Sequence, residues 1–142
     1  MPHFITNIFV LSLSGLFLLQ SFTLTLKITG IKDVKGELVI GIYNNHKDWL
    51  KKGSEFYKKK VKVTSNEETI LFEDIPVGEY AISTYHDVNE DDKCNRSLIG
   101  YPTEGFGFSN KAKISIKAPG FKKASFTLNS DREEKIELKN KK

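Results

Sequence analysis

Between Asp87 and Asn95 the chain carries oxygen-bearing side chains at alternate positions: Asp87, Asn89, Asp91 and, past Lys93, Asn95. Calcium is a hard cation that takes about six to eight oxygen ligands, and a D-x-[DN]-x-[DN] loop brings such oxygens to one point. Lys93 can offer its backbone carbonyl while its side chain points away. Two positions depart from the helix-flanked calcium loop. Asp92 stands where a glycine would make the sharp turn, and Leu98 stands where a bidentate glutamate would close the shell. Glu104 is an acid that could reach back to that place. The spacing therefore predicts a Ca²⁺ site built from Asp87, Asn89, Asp91, Lys93, Asn95 and Glu104. The competing reading is an Asp/Asn-rich turn whose side chains bond their own backbone.

The next stretch, Gly100 to Asn110, mixes glycines with aromatics. Asn110 takes the third place of G-x-G-x-x-G, so the glycines do not form a phosphate-cradling motif. Tyr101, Phe106 and Phe108, with His86 nearby in sequence, are candidates for binding a sugar or another flat apolar ligand. The alternative is that the rings cap an open end of the fold, the commoner use of buried aromatics. Ser109 lies outside G-x-S-x-G, so a nucleophile elbow has no support. His86, Asp87 and Glu104 include the residue types of a small hydrolase, but spacing cannot supply geometry, and no catalytic residue is assigned. His3, His46 and His86 lack zinc-ligand spacing. Cys94 is the single cysteine, which excludes an intramolecular disulfide.

The elements that must hold these residues read as strands. Leu24, Leu26 and Ile28 alternate with polar residues, as do Leu38, Ile40 and Ile42 after the turn at Lys35-Gly36. Such period-two patterning puts one face on a core and the other in water. Val61 with Val63, Ile70 with Phe72, and Tyr80 with Ile82 and Thr84 continue it. Ala112, Ile114 and Ile116 predict a further strand, followed by Ala124, Phe126 and Leu128, and by Ile136 and Leu138. Asn44 to Gly53 breaks the pattern and reads as a connection in which Trp49 and Leu50 tuck against the core. The whole predicts an all-β fold, an antiparallel β-sandwich of seven or eight strands.

The chain has 142 residues, room for one domain. Phe4 to Leu19 is uncharged and rich in Leu and Phe. We read residues 1–20 as a secretory signal peptide and 21–142 as a single domain, with an uncleaved anchor as the alternative. The expected location is secreted, periplasmic or cell-surface, with no stable membrane span once the leader is removed. A net charge of +4 does not argue for nucleic acid. The run Lys51-Lys52 and Lys58-Lys59-Lys60-Lys62 reads as a solvated face or a lysine-guarded edge strand.

Asp74-Ile75-Pro76-Val77-Gly78-Glu79-Tyr80-Ala81, then His86-Asp87, Asn89, Gly100, Pro102, Glu104 and Gly107-Phe108-Ser109-Asn110, resemble a family of small exported bacterial proteins. That family is filed as domain of unknown function 2141. The resemblance covers nearly all of the chain after the leader. It implies a prealbumin-like or carboxypeptidase-regulatory-like β-sandwich with no established activity. Glu90, Asp92, Cys94 and Asn95 depart from the family pattern. The resulting expectation is an exported, non-enzymatic binding or accessory module, with a carbohydrate or cell-envelope component as a conceivable partner. The alternative is a small hydrolase using His86, Asp87 and Glu104.

Overall fold

The computed structural model describes residues 19–141. The leader expectation therefore falls almost wholly outside the described residues. Among the described residues eight strands form: β1 (Ser21–Thr29), β2 (Glu37–Tyr43), β3 (Tyr57–Lys62), β4 (Glu68–Pro76), β5 (Gly78–Asp87), β6 (Phe106–Phe108), β7 (Ser125–Leu128) and β8 (Arg132–Glu137). A short helix, α1 (Phe121–Ala124), precedes β7. The protein is all-β, with two sheets. One has the order β4-β1-β8, the other β3-β2-β5-β6, and β7 also pairs with β5. All ladders are antiparallel except one. β8 runs parallel to β1, from Leu24↔Arg132 to Thr29↔Glu137, so the expectation of a purely antiparallel fold is corrected there. Strands near opposite ends of the sequence can pair in either sense, because no hairpin dictates their direction.

Alternation fixes which side chains go inward. Leu24, Leu26 and Ile28 of β1 meet Leu38, Ile40 and Ile42 of β2 in one buried cluster, so both sheets share a core. In β4 the inward residues are Ile70, Phe72 and Ile75, a spacing that breaks period two. The ladder explains the break. Its register shifts between Phe22↔Ile75 and Leu24↔Phe72, which leaves one extra residue on β4. Asp74 takes φ 56° there. A bulge of this kind turns the next side chain over, so Ile75 enters the core rather than the solvent. Beyond the bulge, the Tyr80 hydroxyl donates to the Pro76 carbonyl at 2.9 Å and ties the β4–β5 corner.

Two expectations are corrected. Residues 111–118, with the alternating Ala112, Ile114 and Ile116, form no strand, and Ile116 is 95% exposed. The missing strand lies earlier, as β6 inside the glycine-aromatic stretch. Trp49 and Leu50 do not join the core cluster. Trp49 packs on the opposite face of the five-stranded sheet, against Tyr43, Phe108 and Phe121. Among the described residues, no helix is long and apolar enough to cross a membrane.

Candidate functional site

The acidic stretch leaves the end of β5 as a loop, and two carboxylates hold it. Asp87 is fully buried. Its Oδ1 accepts from the Asp91 amide at 3.1 Å and its Oδ2 from the Asp92 amide at 2.8 Å. Glu104 works from the returning chain: Oε1 accepts from the Val88 amide at 3.1 Å and Oε2 from the Asn95 amide at 3.2 Å. Each acid thus satisfies two loop N–H groups that no sheet ladder reaches. Asp91 forms the second turn. Its carboxylate accepts from the Lys93 amide at 3.0 Å and from the Asn89 side chain at 3.2 Å. Desolvation pushes the Asp91 carboxyl up, but hydrogen bonds from Lys93, Asn89 and Asn95 outweigh it and leave it below its ordinary value.

The expected calcium ligands therefore fall into two groups. Asn89, Asp91 and Asn95 converge on one another. Asp87 and Glu104 turn toward amides. Among the described residues, no three His, Cys, Asp or Glu side chains come together at metal-binding range.

The remaining acids meet the basic run. Lys62 Nζ contacts Glu90 at 2.7 Å, and Lys60 Nζ contacts Asp92. Lys58, Lys60 and Lys62 alternate along β3, opposite Gly41, Val39 and Glu37, so all three share the sheet face that turns away from the core. The acidic loop folds down onto this lysine row. Contact with Lys60 holds the Asp92 carboxyl below its ordinary value, and the reciprocal contact raises Lys60. Glu90 and Asp92 both take left-handed backbone, with φ 56° and 63°, which lets alternate acids point at alternate lysines.

His86 is 2% exposed, and its Nε2 lies 2.6 Å from the Lys35 carbonyl. A carbonyl only accepts, so Nε2 carries the proton in this contact. Strand alternation sends the His86 and Asp87 side chains to opposite faces of β5. The structure does not bring His86, Asp87 and Glu104 into one hydrogen-bonded relay. Ser109 is buried and joins β5 to the end of α1. Its Oγ accepts from the Ile82 amide at 2.8 Å and donates to the Ala124 carbonyl at 2.5 Å. Ile82 falls where neither β6 nor β7 pairs with β5, and Ser109 fills that gap. Asn110, at φ 56°, donates from its amide to Glu134 Oε1 at 2.6 Å.

The model of the family described as "Uncharacterized protein conserved in bacteria (DUF2141)" matches residues 26–137 of this chain. The chain belongs to that family. No curated protein and no solved structure matches it. In this DUF2141 chain the residues that carried the resemblance, His86, Asp87, Glu104 and Gly107 to Asn110, hold the loop and the β6 edge in place.

What they hold in place is a groove. It lies on the outward face of the five-stranded sheet and encloses about 570 Å³. Its floor includes Val39, Tyr43, Ser83, Tyr85, Phe106 and Phe108. One wall is the loop, from Asp92 to Pro102. The opposite wall is the strandless segment Ile114 to Ala118. Tyr101, Phe106 and Phe108 stand edge to face, at centroid separations of 5.7 and 6.2 Å, and Trp49 continues the row 5.9 Å from Phe108. Phe106 is buried beneath this row, while Tyr101 and Phe108 are half-buried. His86, on the core side, does not line the groove. Burial raises the phenols of Tyr43 and Tyr85 above their ordinary value, with Glu55 adding to the first and Asp87 to the second. Both hydroxyls therefore stay protonated donors at neutral pH.

Sequence reasoning named the aromatic end of this groove and missed the rest. The missing floor residues were available in principle. Val39, Tyr43, Ser83 and Tyr85 are the outward partners of the alternation that identified the core.

Proposed function

We propose that this chain is an exported, non-enzymatic β-sandwich module that holds a small ligand in the groove over β2, β5 and β6. The groove is the observation that carries the reading. Its volume falls in the range of small-molecule sites, about 300–1,000 Å³, and its lining joins an aromatic and aliphatic floor to several charged side chains. The leader composition supports export. The core shared by two sheets and the Tyr80 corner support the sandwich. Trp49 is the single tryptophan and touches two floor residues, so its emission reports on the groove. The test is a panel of sugars, aromatic acids and amphiphiles, read by Trp49 emission and thermal melting. At least one class should shift both, and Ile116→Asp should weaken the effect. A panel that moves neither overturns the reading. Ester hydrolysis lost on His86→Ala, with the fold intact, would favour the hydrolase instead.

The alternating oxygens from Asp87 to Asn95 keep calcium at the loop as a second reading, in which an ion would replace the N–H donors now on the Asp91 carboxylate. A bound ion stabilises the folded state by about 2.7 kcal/mol at a hundred times Kd. The melting temperature should then rise in millimolar Ca²⁺ relative to chelator, and Asp91→Ala should remove the rise. Equal melts in the two buffers overturn calcium and leave the amide contacts as the organisers of the loop.

A further inference from the structure

We propose that the groove selects an anionic amphiphile, a single apolar tail ended by a carboxylate or phosphate. This rests on the groove being the ligand site and names what enters it. The sheet order sets a polarity across the groove. From one side to the other the strands run β3, β2, β5, β6. β3 contributes lysines on the outward face, and β6 contributes Phe106 and Phe108. Four strands at ~4.8 Å spacing separate the two ends by about 14 Å. The cavity therefore has a lysine-bearing edge at β3 and an aromatic edge at β6, with Arg96 and Lys117 on its two walls.

The groove carries more cations than its acids can match. Asp92 touches Lys60, and its carboxyl is also lowered by Lys58 and Lys52, so three lysines surround one carboxylate. Among the described residues, Lys52, Lys58, Lys93, Arg96 and Lys117 all line the groove and none forms an ion pair. Glu55 is the other acid in the lining. A ligand anion placed beside Lys52 and Lys58 completes the charge pairing that Asp92 begins. On the lips of the groove, Ile116 is 95% exposed and Leu50 is 40% exposed, although both line it. An apolar tail lying along the floor removes these lips and the aromatic edges from water. A sugar suits this groove less well. Stacking needs open ring faces, whereas Tyr101, Phe106 and Phe108 pack edge to face on one another and Phe106 is buried.

The test uses dodecanoate below its micelle concentration, dodecanol as the neutral counterpart, and phosphatidylglycerol vesicles. Binding is read by Trp49 emission and by the shift in melting temperature. Dodecanoate should bind saturably at one per chain and at least tenfold more tightly than dodecanol. Lys52→Gln with Lys58→Gln should remove that preference while dodecanol binding holds. Both lysines are exposed and unpaired, so a circular dichroism spectrum and melt matching the parent confirm an intact fold. Equal affinity for the two heads overturns the anionic selection but leaves the groove as a ligand site. Binding to vesicles with none to the monomer also overturns the proposal, because the chain then reads a membrane surface. If neither probe binds and the wider panel is silent too, the ligand-site reading itself fails.

Discussion

Asp87 shows how a single carboxylate can organise a loop from below. It has no exposure to solvent, and two amides point at it. Removing an acceptor leaves each N–H without a partner, at about 1–3 kcal/mol per buried group. Asp87→Ala should therefore lower the unfolding free energy by at least about 1 kcal/mol. Asp87→Asn keeps one carbonyl oxygen and should lose less. Urea unfolding of the three proteins measures the order; equal stability of Ala and parent would show the amides to be satisfied by water. Asp92 behaves differently because it is exposed. Its carboxyl is depressed by Lys60, so its contribution is present above the unfolded aspartate value and is lost as pH falls through the lower folded value. The contact between Asp92 and β3 should hold through mildly acidic pH and open only as pH falls below the ordinary aspartate range. Amide exchange at Glu90 to Asp92, followed against pH, reads this. Opening between pH 5 and pH 7 would contradict it.

At the scale of elements, the β5 end and the turn before β2 are fitted to each other. Gly36 has φ +72°, and a Cβ there would lie 2.3 Å from the Asp87 carbonyl oxygen and 2.8 Å from the Val88 Cα. Both neighbours are backbone and cannot rotate away. Gly53 has a similar φ of +83° with nothing within 4 Å. Gly36→Ala therefore combines left-handed strain with a clash, while Gly53→Ala has the strain alone. The strain is about 1–2 kcal/mol for a residue in that region. Gly36→Ala should be the more destabilising of the two in thermal melts, and it should disturb the loop anchored at Asp87. Equal shifts would mean that the close approach relaxes freely. The lysine row of β3 acts on the same loop from the other side. Exposed ion pairs contribute little, with a median of about 0–1 kcal/mol. Replacing Lys60 and Lys62 by Gln should therefore loosen the loop while leaving global stability close to that of the parent.

Across the whole molecule, the two sheets are stitched together along one side. Phe106 and Lys139 exchange backbone hydrogen bonds of 3.1 and 2.8 Å, and the Leu138 amide donates to Thr29 at 2.9 Å. The end of the chain thus links β6 to β1. On the β3 and β4 side, Lys59 Nζ donates to the Leu71 carbonyl at 3.2 Å and lies over the Phe72 ring. Paired strands on both edges and an apolar core slow local opening, whereas connections open readily. Amides of β1, β2 and β5 should exchange with solvent only through global unfolding. Those of residues 89–100 and 111–118 should exchange orders of magnitude faster. Hydrogen exchange followed by mass spectrometry measures both. Protection of 111–118 equal to that of β5 would mean that this groove wall is fixed before any ligand arrives.

Strands β1, β2, β4 and β5 are legible in the sequence because burial at every second residue is a local pattern. Leu24, Leu26 and Ile28 need only a core to face. The same pattern at Ala112, Ile114 and Ile116 misleads, because a strand also needs an open edge to pair with. The free edge of β5 is already occupied by β6 and β7, with Ser109 filling the place between them. The segment has no ladder to join and becomes a groove wall. The acidic loop is legible as a cluster of oxygens, but spacing does not say whether a carboxylate faces an ion or an amide. Position in the fold decides that. Asp87 is buried at a strand end beside unpaired loop amides, and Glu104 arrives from sixteen residues downstream of Val88. The pairing of the acidic stretch with the basic run is likewise tertiary, since Lys62 and Glu90 are 28 residues apart. Two motifs that read separately along the chain become one groove edge only when β3 is laid beside β2, because charge pairing depends on distance in space and not along the backbone.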